Sequence, residues 1–129
     1  MRDTQDVLRL QLRPIPFPNA SEVLIRHECC GVNFIDTHFR AANTTFAVRE
    51  PPFICGGEGA GVVEELGSAV TELAVGDRVV YSGRPQDDAF AGSYAEFAAV
   101  PAAAVVPLPE AVSFRIHSCF CIACIMMKH

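Results

Sequence analysis

Apolar and polar residues along this chain alternate in short stretches that glycine and proline interrupt every few positions. Val7 to Leu12 (VLRLQL) alternates strictly and predicts a first strand, which Pro14, Pro16 and Pro18 then break. Ser21 to Gly31 predicts a longer strand, with Val23, Ile25, His27 and Cys29 on one face and Leu24, Arg26, Glu28 and Cys30 on the other. Asn33 to Arg40 (NFIDTHFR) has no period of two and is long enough for about two helical turns, with Asn33 placed to cap them. Residues 41–52 read as a loop ending at Pro51-Pro52, and 83–91 as a polar loop. Four further short strands are predicted at Val62 to Leu66, Asp77 to Ser82, Gly92 to Val100 and Val105 to Leu108. Several short strands without a long amphipathic helix, an internal repeat or a heptad indicate a mainly β fold, a small barrel or sandwich.

The composition sets bounds on what such a domain does. At 129 residues, half of them apolar and 19% charged, the chain has material for one core of ordinary size. A net charge of −5 argues against nucleic acid or an anionic membrane surface as partner, since both need a concentrated positive patch. The longest apolar run, Cys119 to Met127, is about half the ~20 residues a helix needs to cross a bilayer. The first residues show no apolar signal core, so a soluble protein is expected. The six cysteines are not spread as a disulfide framework, which points to a reducing compartment such as the cytoplasm. After Ser113 the composition breaks: residues 114–129 hold no acid, glycine or proline, and contain half of the cysteines. The expected organisation is therefore one domain over 1–113 and a divergent Cys-rich tail over 114–129.

The glycine cluster is the first candidate for chemistry, because Gly56, Gly57, Gly59 and Gly61 imply close approach of the backbone. It is not a dinucleotide fingerprint. Counted from Gly57 and Gly59, the third glycine position is Val62, and a strand pattern follows where a helix should open. His117, Cys119, Cys121, Cys124 and His129 are zinc-type ligands, but their spacing fits no common site. His27 reads as a packed or rim histidine. Cys29 and Cys30 point to opposite strand faces and read as small buried apolar residues. No G-x-S-x-G occurs, and nothing in the sequence ties His38 to a serine. Glu58, a carboxylate amid glycines, either fixes the turn by accepting N–H groups or lines a site.

Three motifs occur in a telling order: Gly31-Val32-Asn33-Phe34-Ile35-Asp36-Thr37, then Gly56-Gly57-Glu58-Gly59-Ala60-Gly61-Val62-Val63, then Val75-Gly76-Asp77-Arg78-Val79. With GSYAEF further on, the stretch from about Asp6 to Ser113 resembles the N-terminal domain of medium-chain dehydrogenases/reductases, in particular the zinc-independent NADPH:quinone oxidoreductase group. The resemblance implies a GroES-like fold, a twisted and partly open β-barrel with a few short helices. It also implies hydride transfer from NADPH to a quinone or an enone. The Rossmann domain that carries most of the NADPH site in the family has no counterpart in this sequence, and a homodimer is implied only for the full-length enzymes.

Residue by residue, the resemblance places Asn33 beside nicotinamide and substrate carbonyl, as a catalytic hydrogen-bond donor and a cofactor contact. His38 is a second catalytic candidate, standing where a tyrosine is common, and Arg40 is a candidate for cofactor binding. Asp36 and Glu58 are supporting residues. An aromatic wall of the pocket is either lost or supplied by Phe46. No metal is expected: Asn33 stands where the zinc enzymes carry a cysteine, and Gly57 where they carry a histidine. The match ends near Ser113, which suggests a truncated product unable to act alone. A non-catalytic alternative is a lone GroES-like domain whose exposed apolar surface contacts another protein.

Overall fold

The computed structural model describes residues 8–41, 52–83 and 92–115. All but the end residues 41, 52 and 83 of the loops expected over 41–52 and 83–91, with Phe46 and the cysteine-rich stretch from residue 116 onward, lie outside them. Five strands, β1 (Glu22–Cys30), β2 (Glu58–Leu66), β3 (Arg78–Ser82), β4 (Phe97–Pro101) and β5 (Val105–Pro107), form one antiparallel sheet in the order β4-β1-β2-β3-β5. One helix, α1 (Phe34–Arg40), follows β1, and a 3₁₀ turn at Ala102–Ala104 joins β4 to β5. The described residues contain no parallel strand pair, and so no nucleotide-binding βαβ unit.

That three-residue turn explains the curvature of the sheet. β4 and β5 occupy its opposite edges, yet the chain between them can reach no further than roughly 14 Å at about 3.5 Å per residue. The sheet must therefore curl until its edges approach, which gives a partly open barrel. Two register shifts in the β1–β2 pairing, at Leu24/Ile25 and His27/Cys29, supply the local twist. The inside of the curl is apolar: Val23, Ile25, Val63, Val79, Tyr81, Ala98, Val100 and Val105 pack together from all five strands. On the other face, Ala60, Val80 and Leu108 form a smaller cluster that Cys29, Val112 and Phe114 cover.

The structure departs from the sequence pattern in three places. Leu8 to Leu12 is not a strand; Leu10 and Leu12 are fully exposed, because alternation without a neighbouring strand gives no ladder. The strand expected from Gly92 begins only at Phe97. Upstream, the Ser93 and Tyr94 N–H groups donate instead to the Gly56 and Cys55 carbonyls, at 3.0 and 2.9 Å. Cys29 is half-buried and Cys30 exposed, not buried as expected, since the end of β1 runs past the core. Conversely, β2 starts at Glu58, so Gly59 and Gly61 lie within a strand. A Cβ at Gly61 would collide with the Arg26 carbonyl of the paired strand.

Candidate functional site

The site assembles where β1 passes into α1 and meets the glycine cluster. Asp36 closes the first helical turn: its Oδ2 accepts the Asn33 backbone N–H at 2.8 Å, while its own N–H donates to the Asn33 carbonyl at 3.0 Å. The same Oδ2 accepts the Tyr94 hydroxyl at 3.0 Å, so one buried carboxylate ties α1 to the segment before β4. From the other side, Glu58 at the start of β2 accepts the Asn33 side-chain amide, Nδ2 to Oε2, at 2.9 Å. Asn33 is thereby held at its backbone by Asp36 and at its side chain by Glu58. An amide carries two N–H groups, so one remains after Glu58 has taken the other.

These elements border an open cavity of about 150 Å³ lined by Leu8, Val32, Asn33, Asp36, Thr37, Arg40, Cys55 and Tyr94. Asn33, Asp36 and Arg40 thus converge on one space, and Glu58 stands behind Asn33. His38 is not among the lining residues; its ring meets Phe34 edge-on, 5.0 Å between centroids. Tyr94 and Cys55 belong to the cavity but were not among the sequence candidates. The first reads as an ordinary strand residue and the second as an isolated cysteine, and only the GSYAEF motif hinted at Tyr94. Burial, and then the hydrogen bond to Asp36, raise the Tyr94 phenol well above its ordinary range. The Cys55 thiol is also pushed up, by burial and then by Asp36, with Arg40 acting weakly against it. Both groups are therefore neutral donors at physiological pH.

A second polar pair lies between β1 and β3. The His27 Nδ1–H donates to the Ala95 carbonyl at 2.6 Å, which leaves Nε2 as the acceptor for the Tyr81 hydroxyl at 2.7 Å. Burial lowers the His27 pKa and keeps the ring neutral. The packed histidine expected from the pattern is what the structure shows.

The alcohol dehydrogenase GroES-like domain family matches residues 19–110, a span that holds the barrel and every residue of this cavity except Leu8. The chain belongs to that family. Its relatives include the quinone oxidoreductase of Mus musculus, 37% identical over 114 residues, which are 85% of this chain and 32% of the relative. The alcohol dehydrogenase of Geobacillus stearothermophilus is 37% identical over 131 residues, covering 82% of this chain and 38% of its own. Among solved structures, Escherichia coli quinone oxidoreductase complexed with NADPH superposes with a TM-score of 0.67 at 31% identity, over 81% of this chain and 30% of that one. This chain spans about a third of the length of these relatives. In the GroES-like frame, among the described residues, no three His, Cys, Asp or Glu side chains gather as a metal site would require. No helix among them is long and apolar enough to cross a membrane.

Proposed function

We propose that this domain forms the substrate side of an NADPH-dependent quinone or enone reductase that works without zinc. The observation that carries the reading is the Asn33 amide, fixed by Glu58 at 2.9 Å on the wall of a ring-sized cavity. The quinone oxidoreductases among the relatives, and the NADPH complex of one of them, support it. The residues fit only one end of NADPH. Asn33 and Arg40 would hold the reactive ring end, whereas no glycine-rich helix start for the phosphates occurs among the described residues. When bound, the cofactor supplies the hydride. The free Asn33 N–H donates to the carbonyl oxygen as negative charge gathers there, and a proton from solvent completes the hydroquinone. His38 remains a candidate proton donor at the helix surface. Zinc independence rests on donor chemistry, because an amide already bonded to a carboxylate and a glycine offer neither thiolate nor imidazole.

The test is a chimera in which residues 19–110 replace the matching segment of the mouse quinone oxidoreductase. It is expected to oxidise NADPH with a naphthoquinone, to keep its rate in the presence of a chelator, and to lose roughly 10²-fold in kcat on Asn33→Ala. The 129-residue chain alone is expected to show no turnover. A folded chimera that reduces no quinone, or whose rate Asn33→Ala leaves unchanged, would refute the proposal.

A further inference from the structure

The open side of the cleft carries apolar side chains in water. Val32 and Phe34 are each 79% exposed, and Leu8, which lines the cavity with Val32, is 49% exposed. The chain leaves the barrel close to this rim. The Cys29 thiol donates to the Phe114 carbonyl at 3.1 Å. Arg78 donates to the Pro109 and Val112 carbonyls at 2.9 and 2.7 Å, and its guanidinium stands 4.3 Å over the Phe114 ring. Phe114 is thereby pinned against the end of β1, where Cys29 precedes Val32 by three positions. Three residues span at most about 11 Å, and the five steps from Phe114 to Cys119 cover up to about 17 Å, so the residues after Phe114 reach the rim. From Cys119 to Met127 they hold no charge, glycine or proline.

We infer that the segment Cys119 to Met127 folds back over Leu8, Val32 and Phe34 and caps the cleft of its own chain. The contact removes two apolar surfaces from water at once. The tether favours the chain's own tail over that of a second copy, because a short linker holds it near the rim at an effective concentration in the millimolar range. Charge acts in the same direction: residues 114–129 carry Arg115 and Lys128 and no acid, whereas all fifteen acids of the chain lie before them. The inference goes beyond the reductase reading and does not depend on it.

The experiment follows chymotrypsin cleavage after Phe120 by mass spectrometry, in the full 129-residue chain with its thiols kept reduced. A Val32→Ser, Phe34→Ser variant alters the rim and leaves the tail sequence untouched. If the cap is closed about nine-tenths of the time, cleavage after Phe120 should be about tenfold faster in the variant, since cleavage tracks the open population. Equal rates overturn the inference. Protection that is lost on diluting the unsubstituted chain would place the tail on a second copy and also overturn it. A second measurement needs no substitution: with ¹³C-labelled isoleucine and methionine methyl groups, nuclear Overhauser contacts are expected from Ile122, Ile125 or Met126 to the Phe34 ring. Contacts of these methyls with other parts of the barrel, or with none, overturn the inference.

Discussion

Replacing Tyr81 by phenylalanine removes one oxygen from the inside of the barrel and tests whether the His27–Tyr81 pair holds β1 against β3. Tyr81 is 1% exposed, and its hydroxyl donates to His27 Nε2 at 2.7 Å. The other ring nitrogen is committed to the Ala95 carbonyl, so the ring cannot turn to recover the loss. A buried acceptor stripped of its donor costs about 1–3 kcal/mol, whereas removing both partners of such a bond costs much less. Taking about 2 kcal/mol, the melting temperature of the chain should fall by roughly 6–10 °C, at about 3–5 °C per kcal/mol for a chain of 129 residues. Urea unfolding followed by far-UV circular dichroism gives the free energy directly. In a His27→Leu background the same change should cost under about 0.5 kcal/mol, because no acceptor is left to orphan. The pair also sets a pH dependence. Burial lowers the folded pKa of His27 below the ordinary 6.5, so as pH falls through 6.5 the unfolded chain takes up the proton first. Stability is therefore complete above that pH and declines below it, by at most about 1.4 kcal/mol per pH unit for one proton. The His27→Leu variant should lack that part of the decline. Equal costs of Tyr81→Phe in both backgrounds would show that the hydrogen bond contributes nothing and that only packing was lost.

Three further outcomes are expected. Both tyrosines of the chain have phenols raised above 10 chiefly by burial, so the folded protein should show no phenolate absorbance at pH 10, and stability should fall as pH rises past that point, where the unfolded chain ionises first. Normal titration of either tyrosine in the folded state would contradict the burial argument. Gly59→Val places a side chain 2.7 Å from the Tyr81 ring and 2.8 Å from His27 Nε2, and should destabilise by about 1–3 kcal/mol in urea unfolding. Phe114→Ala should cost about 1 kcal/mol by the same assay, because Arg78 sits 4.3 Å over the Phe114 ring and the ring packs on the Ala60, Val80 and Leu108 cluster. No change would mean that the fold ends at Ser113, where the composition breaks.

Period-two patterning located β1 almost to the residue, because Val23 and Ile25 face a core while Arg26 and Glu28 meet water. The same rule failed at Leu8 to Leu12, which alternates equally well but has no strand beside it; pairing is a long-range property that local alternation does not contain. It failed again at Ser93 to Glu96, where two backbone donors are diverted to the glycine cluster. Asn33, Asp36 and Arg40 were legible together because they run from the N-cap to the last residue of one short helix, and the motif covers the first two of them. Tyr94 was not, since its contact with Asp36 spans 58 positions of sequence. His38 shows the converse. It shares α1 with the cavity residues, but lies two positions after Asp36 and two before Arg40, and so on the opposite side of the turn, against Phe34.

The site owes its geometry to two carboxylates that a sequence reading treats alike. Asp36 and Glu58 are both buried, both sit within glycine-containing motifs, and both hold Asn33, yet they act on different parts of it. Asp36 fixes the backbone at the helix start and borrows the Tyr94 hydroxyl to anchor that start to the barrel. Glu58 fixes the side chain, and does so from a strand whose register is set by pairs to both β1 and β3. In the proposed reading Asn33 meets developing charge and must be aimed before the charge appears, and a strand in the middle of a sheet holds direction better than a loop. Glu58 is the first residue of β2 and pairs with Ser82 of β3, so its side chain is held by the sheet. Glycine at 59 and 61 lets the strand run against Tyr81, His27 and the Arg26 carbonyl without displacing them, and the close pairing that results delivers the carboxylate to the Asn33 amide.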